Sequence, residues 1–270
     1  MKNIEIVLRG VSLKFIREND IYTDEFYQLV ADDVWEPMTI AFFERNMGKQ
    51  TLLLEIGAAT GVLSMFAAKL GSRVVAYEPN PVVVDILKKN IDINELSSKI
   101  SVIPDAVSDM DSVMKFSVGS NSSVLSPVVM HGMQNQKNQD IQVRNIIDAV
   151  DSCSKMREEE IVIKMDIEGA EYRILCNTYV VSELAKRVSK LFVSFHPGFN
   201  RPTHFKNRYL RYALSRIKYT VVIRDHYRIF KNLNLHGKIS TCDGKVVSKA
   251  SEFAGLLHFG SHDWIWEPNR

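Results

Sequence analysis

The stretch Leu52-Leu53-Leu54-Glu55-Ile56-Gly57-Ala58-Ala59-Thr60-Gly61 decides the fold. An apolar run ends in an acid and a small-residue turn, the pattern of a parallel strand whose tip wraps backbone around a nucleotide. A dinucleotide-binding turn reads Gly-x-Gly-x-x-Gly, and here Ala59 stands at its second glycine. A phosphate-cradling P-loop ends in Gly-Lys-Ser/Thr, which this turn does not. What stands instead is Glu-x-Gly-x-x-x-Gly, with a carboxylate at the strand tip.

An acid in that place repels a pyrophosphate and suits a ligand carrying a cationic amino group. S-adenosylmethionine is such a ligand, with an ammonium, a sulfonium and no phosphate. Two further acids strengthen the reading. Glu78 closes the next strand, "RVVAYEP", where a carboxylate can accept both ribose hydroxyls. Asp105 follows the third, "ISVIPDAVSD", where one can receive the exocyclic amine of adenine. Each alone could be a solvated turn residue or a cap. Together they stand at three successive strand ends, the edge on which such sheets bind ligands.

Outward from this core, short apolar strands alternate with helical patterns, which predicts a parallel sheet covered on both faces. The first strand is Thr51 to Glu55. A helix with Val62, Leu63, Phe66, Ala67 and Leu70 on one face stops at Gly71. Asn80 is the expected N-cap of the next helix, with Pro81 in its first turn. "EIVIKMD" reads as strand four, "KLFVSFHP" as strand five, "KYTVVIRD" as strand six and "DWIWEP" as a closing strand. The segment "GSNSSVLSPVVMHGMQNQKNQD" is too polar for core and reads as a surface loop or a lid. "ADDVWEPMTIAFFERN" predicts an amphipathic helix. Residues 1–48 are thus expected to form a helical cap, 49–200 the nucleotide-binding core, and 201–270 a basic part that completes the sheet.

The 270 residues, 46% hydrophobic and 24% charged, suit a globular α/β protein. No run reaches the roughly 18 apolar residues of a membrane span. The start, MKNIEIVLRG, lacks the apolar stretch of a secretory signal. Cys153, Cys176 and Cys242 have no metal-ligand spacing and cannot all pair, so a cytoplasmic setting is expected. From Arg201 to Lys249 there are twelve Lys or Arg against two acids in a chain of net charge +2. A basic C-terminal stretch on an acidic core points to an anionic acceptor or a peripheral contact with an anionic surface, or else is a solvated face.

The strings "LLLEIGAATGVLSMFAAKLGSRVVAYEPNPVVVDILKKN", "ISVIPDAVSD" and "IVIKMDIEGAEYRIL" resemble the FkbM-type family of S-adenosylmethionine-dependent methyltransferases. The similarity runs from about Trp35 to Pro197, with "WEP" at Trp35 to Pro37 similar to a short family element, and little after Asn200 matches. It implies a class I, Rossmann-like α/β fold: a doubly wound, mostly parallel seven-stranded sheet with helices on both faces and an antiparallel last strand. It implies O-methylation of a small molecule or sugar. Cofactor contacts are expected from Glu36, Glu55, Gly57, Ala58, Ala59, Gly61, Glu78, Pro79, Asn80, Asp105, Ala106 and Asp166. In one departure, the family more often has Asn where Ala59 stands, so a polar contact of that amide is absent or supplied elsewhere.

Methyl transfer to a hydroxyl is an in-line displacement that needs alignment and a base. Asp166 at the end of strand four and His196 at the end of strand five are the candidates, with Glu168 beside them. Asp166 could instead grip the methionine amine or the substrate, His196 could be a hydrogen-bonded structural residue, and Glu171 could serve only as a cap or pair along its helix. A divalent metal on Asp166, Glu168 and His196 is possible chemistry that the spacing does not demand. Substrate contacts are assigned to Ser123, Arg224 and Arg228. The expected acceptor is a sugar hydroxyl, nucleotide- or lipid-linked or on a surface polysaccharide. The rivals are an RNA methyltransferase, since "KNRYLRYALSRIKYTVVIRDHYRIFK" interleaves Arg and Lys with aromatics without an appended RNA-binding module, and a non-catalytic protein of the same fold.

Overall fold

The computed structural model describes residues 3–17, 22–118, 137–153, 160–167, 169–196, 208–259 and 263–269. Its elements in chain order are β1 (Asn3–Leu8), β2 (Val11–Ile16), α1 (Asp24–Ala31), α2 (Pro37–Asn46), β3 (Thr51–Ile56), α3 (Val62–Leu70), β4 (Arg73–Tyr77), α4 (Pro81–Ile93), β5 (Ile100–Ile103), β6 (Ala106–Ser108) and β7 (Ser112–Val118). Then come β8 (Lys137–Asn145), α5 (Ile146–Cys153), β9 (Glu160–Met165), α6 (Glu171–Leu175), α7 (Thr178–Ala185), β10 (Lys190–Ser194), α8 (Arg208–His236), β11 (Gly237–Thr241), α9 (Ala250–Phe259) and β12 (Asp263–Pro268). Seven strands form the main sheet in the order β11-β12-β10-β9-β3-β4-β5. β3, β4 and β5 are parallel, and the final strand β12 runs antiparallel to both β10 and β11. The described residues divide into two compact units, one up to residue 164 and one from residue 165.

In the first unit, every residue of β3 is buried, as a strand covered on both faces requires. Gly71 ends α3 in the left-handed conformation, φ 116°. The Asn80 side chain accepts the Val82 N–H at 3.1 Å, and Pro81 follows as the first helical residue of α4. The expected N-terminal helix is present as α2, but β1 and β2 precede it as a hairpin closed by Arg9 and Gly10, both with positive φ. That two-residue turn matches the twist of its strands. Buried Asn90 and Asn94 of α4 serve the backbone of β2: Asn90 Oδ1 accepts Ile16 N–H at 2.8 Å, and Asn94 bonds both Lys14 N–H and Lys14 C=O.

Three readings change. "KYTVVIRD" lies within α8, not in a strand, and the sheet's place is filled by Gly237–Thr241. A short β-branched run carries no period of its own, and the buried Ile229, Phe230 and Leu233 further along continue a helical stripe. "ISVIPDAVSD" splits into β5 in the main sheet and β6 in a separate three-stranded sheet ordered β6-β8-β7. The end of the polar segment, Lys137–Asp140, pairs with β7, while residues 119–136, Ser123 among them, lie outside the described residues.

Candidate active site

The glycine turn is built on backbone that few residues can adopt. Gly57, Ala59 and Gly61 have φ of 90°, 49° and 90°. The N–H groups of Gly57 and Ala58 both donate to Tyr77 C=O, at 3.0 and 3.1 Å, tying the turn to the end of β4. A Cβ on Gly61 would overlap Leu87 Cδ1 at a φ of 90° that already disfavours a side chain, so glycine lets α3 start against α4 without strain or a shift of Leu87. Ala59, where the family more often has Asn, sits in the left-handed region that Asn tolerates better than other non-glycine residues. The amide thus has a conformational reason as well as a polar one.

Glu78 is 2% exposed, and its two oxygens accept different backbone groups: Ala59 N–H at 3.0 Å and Asn80 N–H at 2.9 Å. It therefore shapes the turn in addition to standing at the end of β4. Glu55 is buried under the turn and accepts the Ser64 hydroxyl from α3. Asp105 Oδ2 accepts both Nε and Nη2 of Arg144 on β8, at 3.2 and 2.8 Å. This hydrogen bond raises the Arg144 pKa. Sequence reading missed Arg144, since nothing local ties β8 to β5. Pro79, Asn80, Ala58 and Ala106 are buried around the same strand ends. Glu36, the left-handed residue before α2, has its Oε2 3.9 Å from Nζ of Lys164, a buried lysine of β9.

Burial raises the Tyr77 pKa. One buried hydroxyl of the turn, Thr60 Oγ1, makes no hydrogen bond among the described residues. Buried hydroxyls without partners are costly, which fits a site completed by a polar ligand. The polar side chains at these strand ends are carboxylates, whose oxygens accept from hydroxyls, an exocyclic amine and an ammonium, so these residues fit S-adenosylmethionine.

In the second unit, Asp166 follows β9 and His196 follows β10. Asp166 Oδ1 lies 3.5 Å from His196 Nε2, with the two side chains 21% and 29% exposed. Glu171, fully buried at the start of α6, has its Oε1 3.7 Å from His196 Nδ1. The same oxygen accepts the His196 N–H at 2.6 Å, and Oε2 accepts the Gly169 N–H at 2.7 Å. The imidazole is bracketed by two carboxylates. Glu171 is more than a helix cap: it holds the His196 backbone in place. Behind it, Tyr172 OH lies 2.8 Å from Nε2 of buried His226, and burial raises the Tyr172 pKa strongly. Glu168 lies outside the described residues. Arg224 and Arg228, one turn apart on α8, are both exposed. Among the described residues no group of three or more His, Cys, Asp or Glu is arranged to hold a metal ion, and no helix is long and apolar enough to cross a membrane.

Sheet order, acidic strand ends and glycine turn together define a fold of the class I methyltransferase type. Residues 55–239 match the model of the methyltransferase FkbM domain, and the chain belongs to that family. The match extends through α8 into β11, well past the resemblance legible in the sequence. A ribosomal protein L11 methyltransferase of Ruminiclostridium cellulolyticum is 35% identical over 74 residues, covering 27% of this chain and 23% of that protein. A "Probable ribosomal RNA small subunit methyltransferase A" of Methanosphaera stadtmanae is 30% identical over 111 residues, covering 41% of this chain and 38% of that one. The chain thus spans well under half the length of these curated relatives. Among solved structures, an O-methyltransferase from Bacillus cereus in complex with SAH aligns with a TM-score of 0.44 at 13% identity, covering 94% of this chain and 92% of that one.

Proposed function

We propose that this chain is an S-adenosylmethionine-dependent O-methyltransferase whose acceptor is a sugar hydroxyl on a nucleotide- or lipid-linked sugar or a surface polysaccharide. The observation that carries the chemistry is the His196 imidazole, partly exposed between Asp166 at 3.5 Å and Glu171 at 3.7 Å. A neutral imidazole there takes the acceptor hydroxyl's proton, and the two carboxylates stabilise the resulting cation. Asp166 is the alternative proton acceptor, or a grip on the cofactor's amine. Bound S-adenosylmethionine supplies an electrophilic methyl on sulfur. Glu55 and the turn from Gly57 to Gly61 hold it, with Glu78 toward the ribose and Asp105 toward the adenine. The sugar acceptor rests on the family resemblance and on the basic stretch, where Arg224 and Arg228 would meet an anionic group and Ser123 would add a contact. The experiment is mass spectrometry of nucleotide sugars, lipid-linked sugars and polysaccharide fragments after incubation with enzyme and cofactor, read for the added mass of one methyl group.

One observation favours a second reading. Tyr227 is exposed between the exposed Arg224 and Arg228 on α8, an aromatic flanked by cations as in single-strand binders. Methyl incorporation into RNA and none into sugars would establish it.

A further inference from the structure

The small sheet β6-β8-β7 delivers a cation to the connection that leaves β5. β8 pairs in parallel with β6, with Arg144 opposite Val107, and Val107 stands two residues after Asp105. The backbone there is pinned from behind. The next residue, Asn145, donates its N–H to Asp111 Oδ1 at 2.7 Å and its Nδ2 to Asp109 C=O at 3.3 Å, and α5 begins directly after it. Arg144 is thus presented from fixed backbone, whereas Asp105 stands in the link between β5 and β6.

The contact between the two is one-sided. Both Nε and Nη2 of Arg144 donate to Oδ2 of Asp105, at 3.2 and 2.8 Å, and Oδ1 stays outside the pair. A fork set on both oxygens would occupy the whole carboxylate. Set on one, it fixes the group's orientation and leaves an oxygen to accept from a ligand. The Arg144 side chain is 42% exposed and that of Asp105 13%. An ion pair so open to water contributes little to stability, so its main effect is on where the carboxylate points.

We infer that Arg144 is a positioning residue for base selection: by holding Asp105 through Oδ2 it aims Oδ1 at the exocyclic amine of the cofactor's purine, so that the site selects adenine over hypoxanthine. A fixed carboxylate oxygen accepts from the amine of adenine but meets the carbonyl oxygen of hypoxanthine as acceptor against acceptor. A carboxylate free to turn escapes the second encounter, and the selection fades. The inference rests on the cofactor reading above, with Asp105 toward the adenine, and is independent of the acceptor.

Titration calorimetry tests it with S-adenosylhomocysteine and S-inosylhomocysteine, which carries a carbonyl oxygen in place of the amine. Wild type is expected to prefer the adenosyl compound about tenfold or more. Arg144→Met should lose most of that preference, by weakening the adenosyl compound while leaving the inosyl one as tight or tighter. Asp105→Asn, whose amide also donates, should lose it as well. A merely structural Arg144 would weaken both ligands equally, so an unchanged ratio in Arg144→Met overturns the inference. If Asp105→Asn then still loses the preference, the adenine reading stands without Arg144. Should Arg144→Met fail to fold, Arg144→Gln, which keeps an N–H donor but loses the fork and the charge, decides by the same ratio. Wild type binding both compounds equally would overturn the inference and take Asp105 away from the base with the cofactor reading intact. Binding neither would overturn the cofactor reading and the inference with it.

Discussion

Ala59 shows how much a single position in the turn must satisfy. Its φ of 49° costs a residue with a Cβ about 1–2 kcal/mol, while Asn relieves part of that by bonding locally. Ala59→Asn is therefore expected to raise stability by up to about 1 kcal/mol, read as a higher denaturation midpoint; an unchanged or lower midpoint would show the conformation to be unstrained. Sequence alone offered Glu78 one duty, toward the ribose, and the structure shows another, in the turn. Its end-of-strand position was legible, but the bonds from Ala59 N–H and Asn80 N–H are visible only once the turn is folded back over it. Glu78→Ala should weaken S-adenosylmethionine binding and also lower stability, since each buried amide left without an acceptor costs about 1–3 kcal/mol. Calorimetry and chemical denaturation on the same variant separate the two effects, and a variant of full stability and full affinity would contradict both.

Elements whose signal is local were legible, and elements decided by distant contacts were not. β3, α3 and α4 announced themselves through an apolar run, a 3.6-residue stripe, Gly71 and Asn80-Pro81. The β1–β2 hairpin left a signal too, alternation on either side of Arg9-Gly10, but a weak one beside the usual Asn-Gly or Asp-Gly. The helical state of Lys218–Asp225 had none, because β-branched residues favour strands unless a longer helix carries them. At the seam between α3 and α4, Gly61→Ala must both hold φ near 90° and push Leu87 aside. It should cost about 2 kcal/mol or more, measured by denaturation. A loss below half of that would mean that Leu87 moves freely.

Within the second unit, the ends of β9 and β10 bring together residues that the sequence spread out. Asp166 and His196 were legible because both follow apolar strands, and the structure brings them to 3.5 Å. The holding role of Glu171 was not, since in sequence it is one more acid in "EGAE", and only the fold sets it beneath His196. The family match through residue 239 places α8 and its basic face inside the matched domain. If that face meets an anionic acceptor, Arg224→Ala combined with Arg228→Ala should raise the acceptor KM and leave S-adenosylmethionine affinity alone. Added salt should raise the wild-type KM in the same sense. A salt-independent KM would return these arginines to solvent. The central claim, that His196 takes the acceptor's proton, is tested most directly by the pH dependence of kcat/KM for methyl transfer in wild type and His196→Ala. A protonated imidazole cannot accept a proton, so the wild-type value should fall toward acid pH. His196→Ala should lose this limb and about 10²–10⁴-fold of the rate while S-adenosylmethionine still binds; an acid limb that persists in His196→Ala at near wild-type turnover would contradict the account.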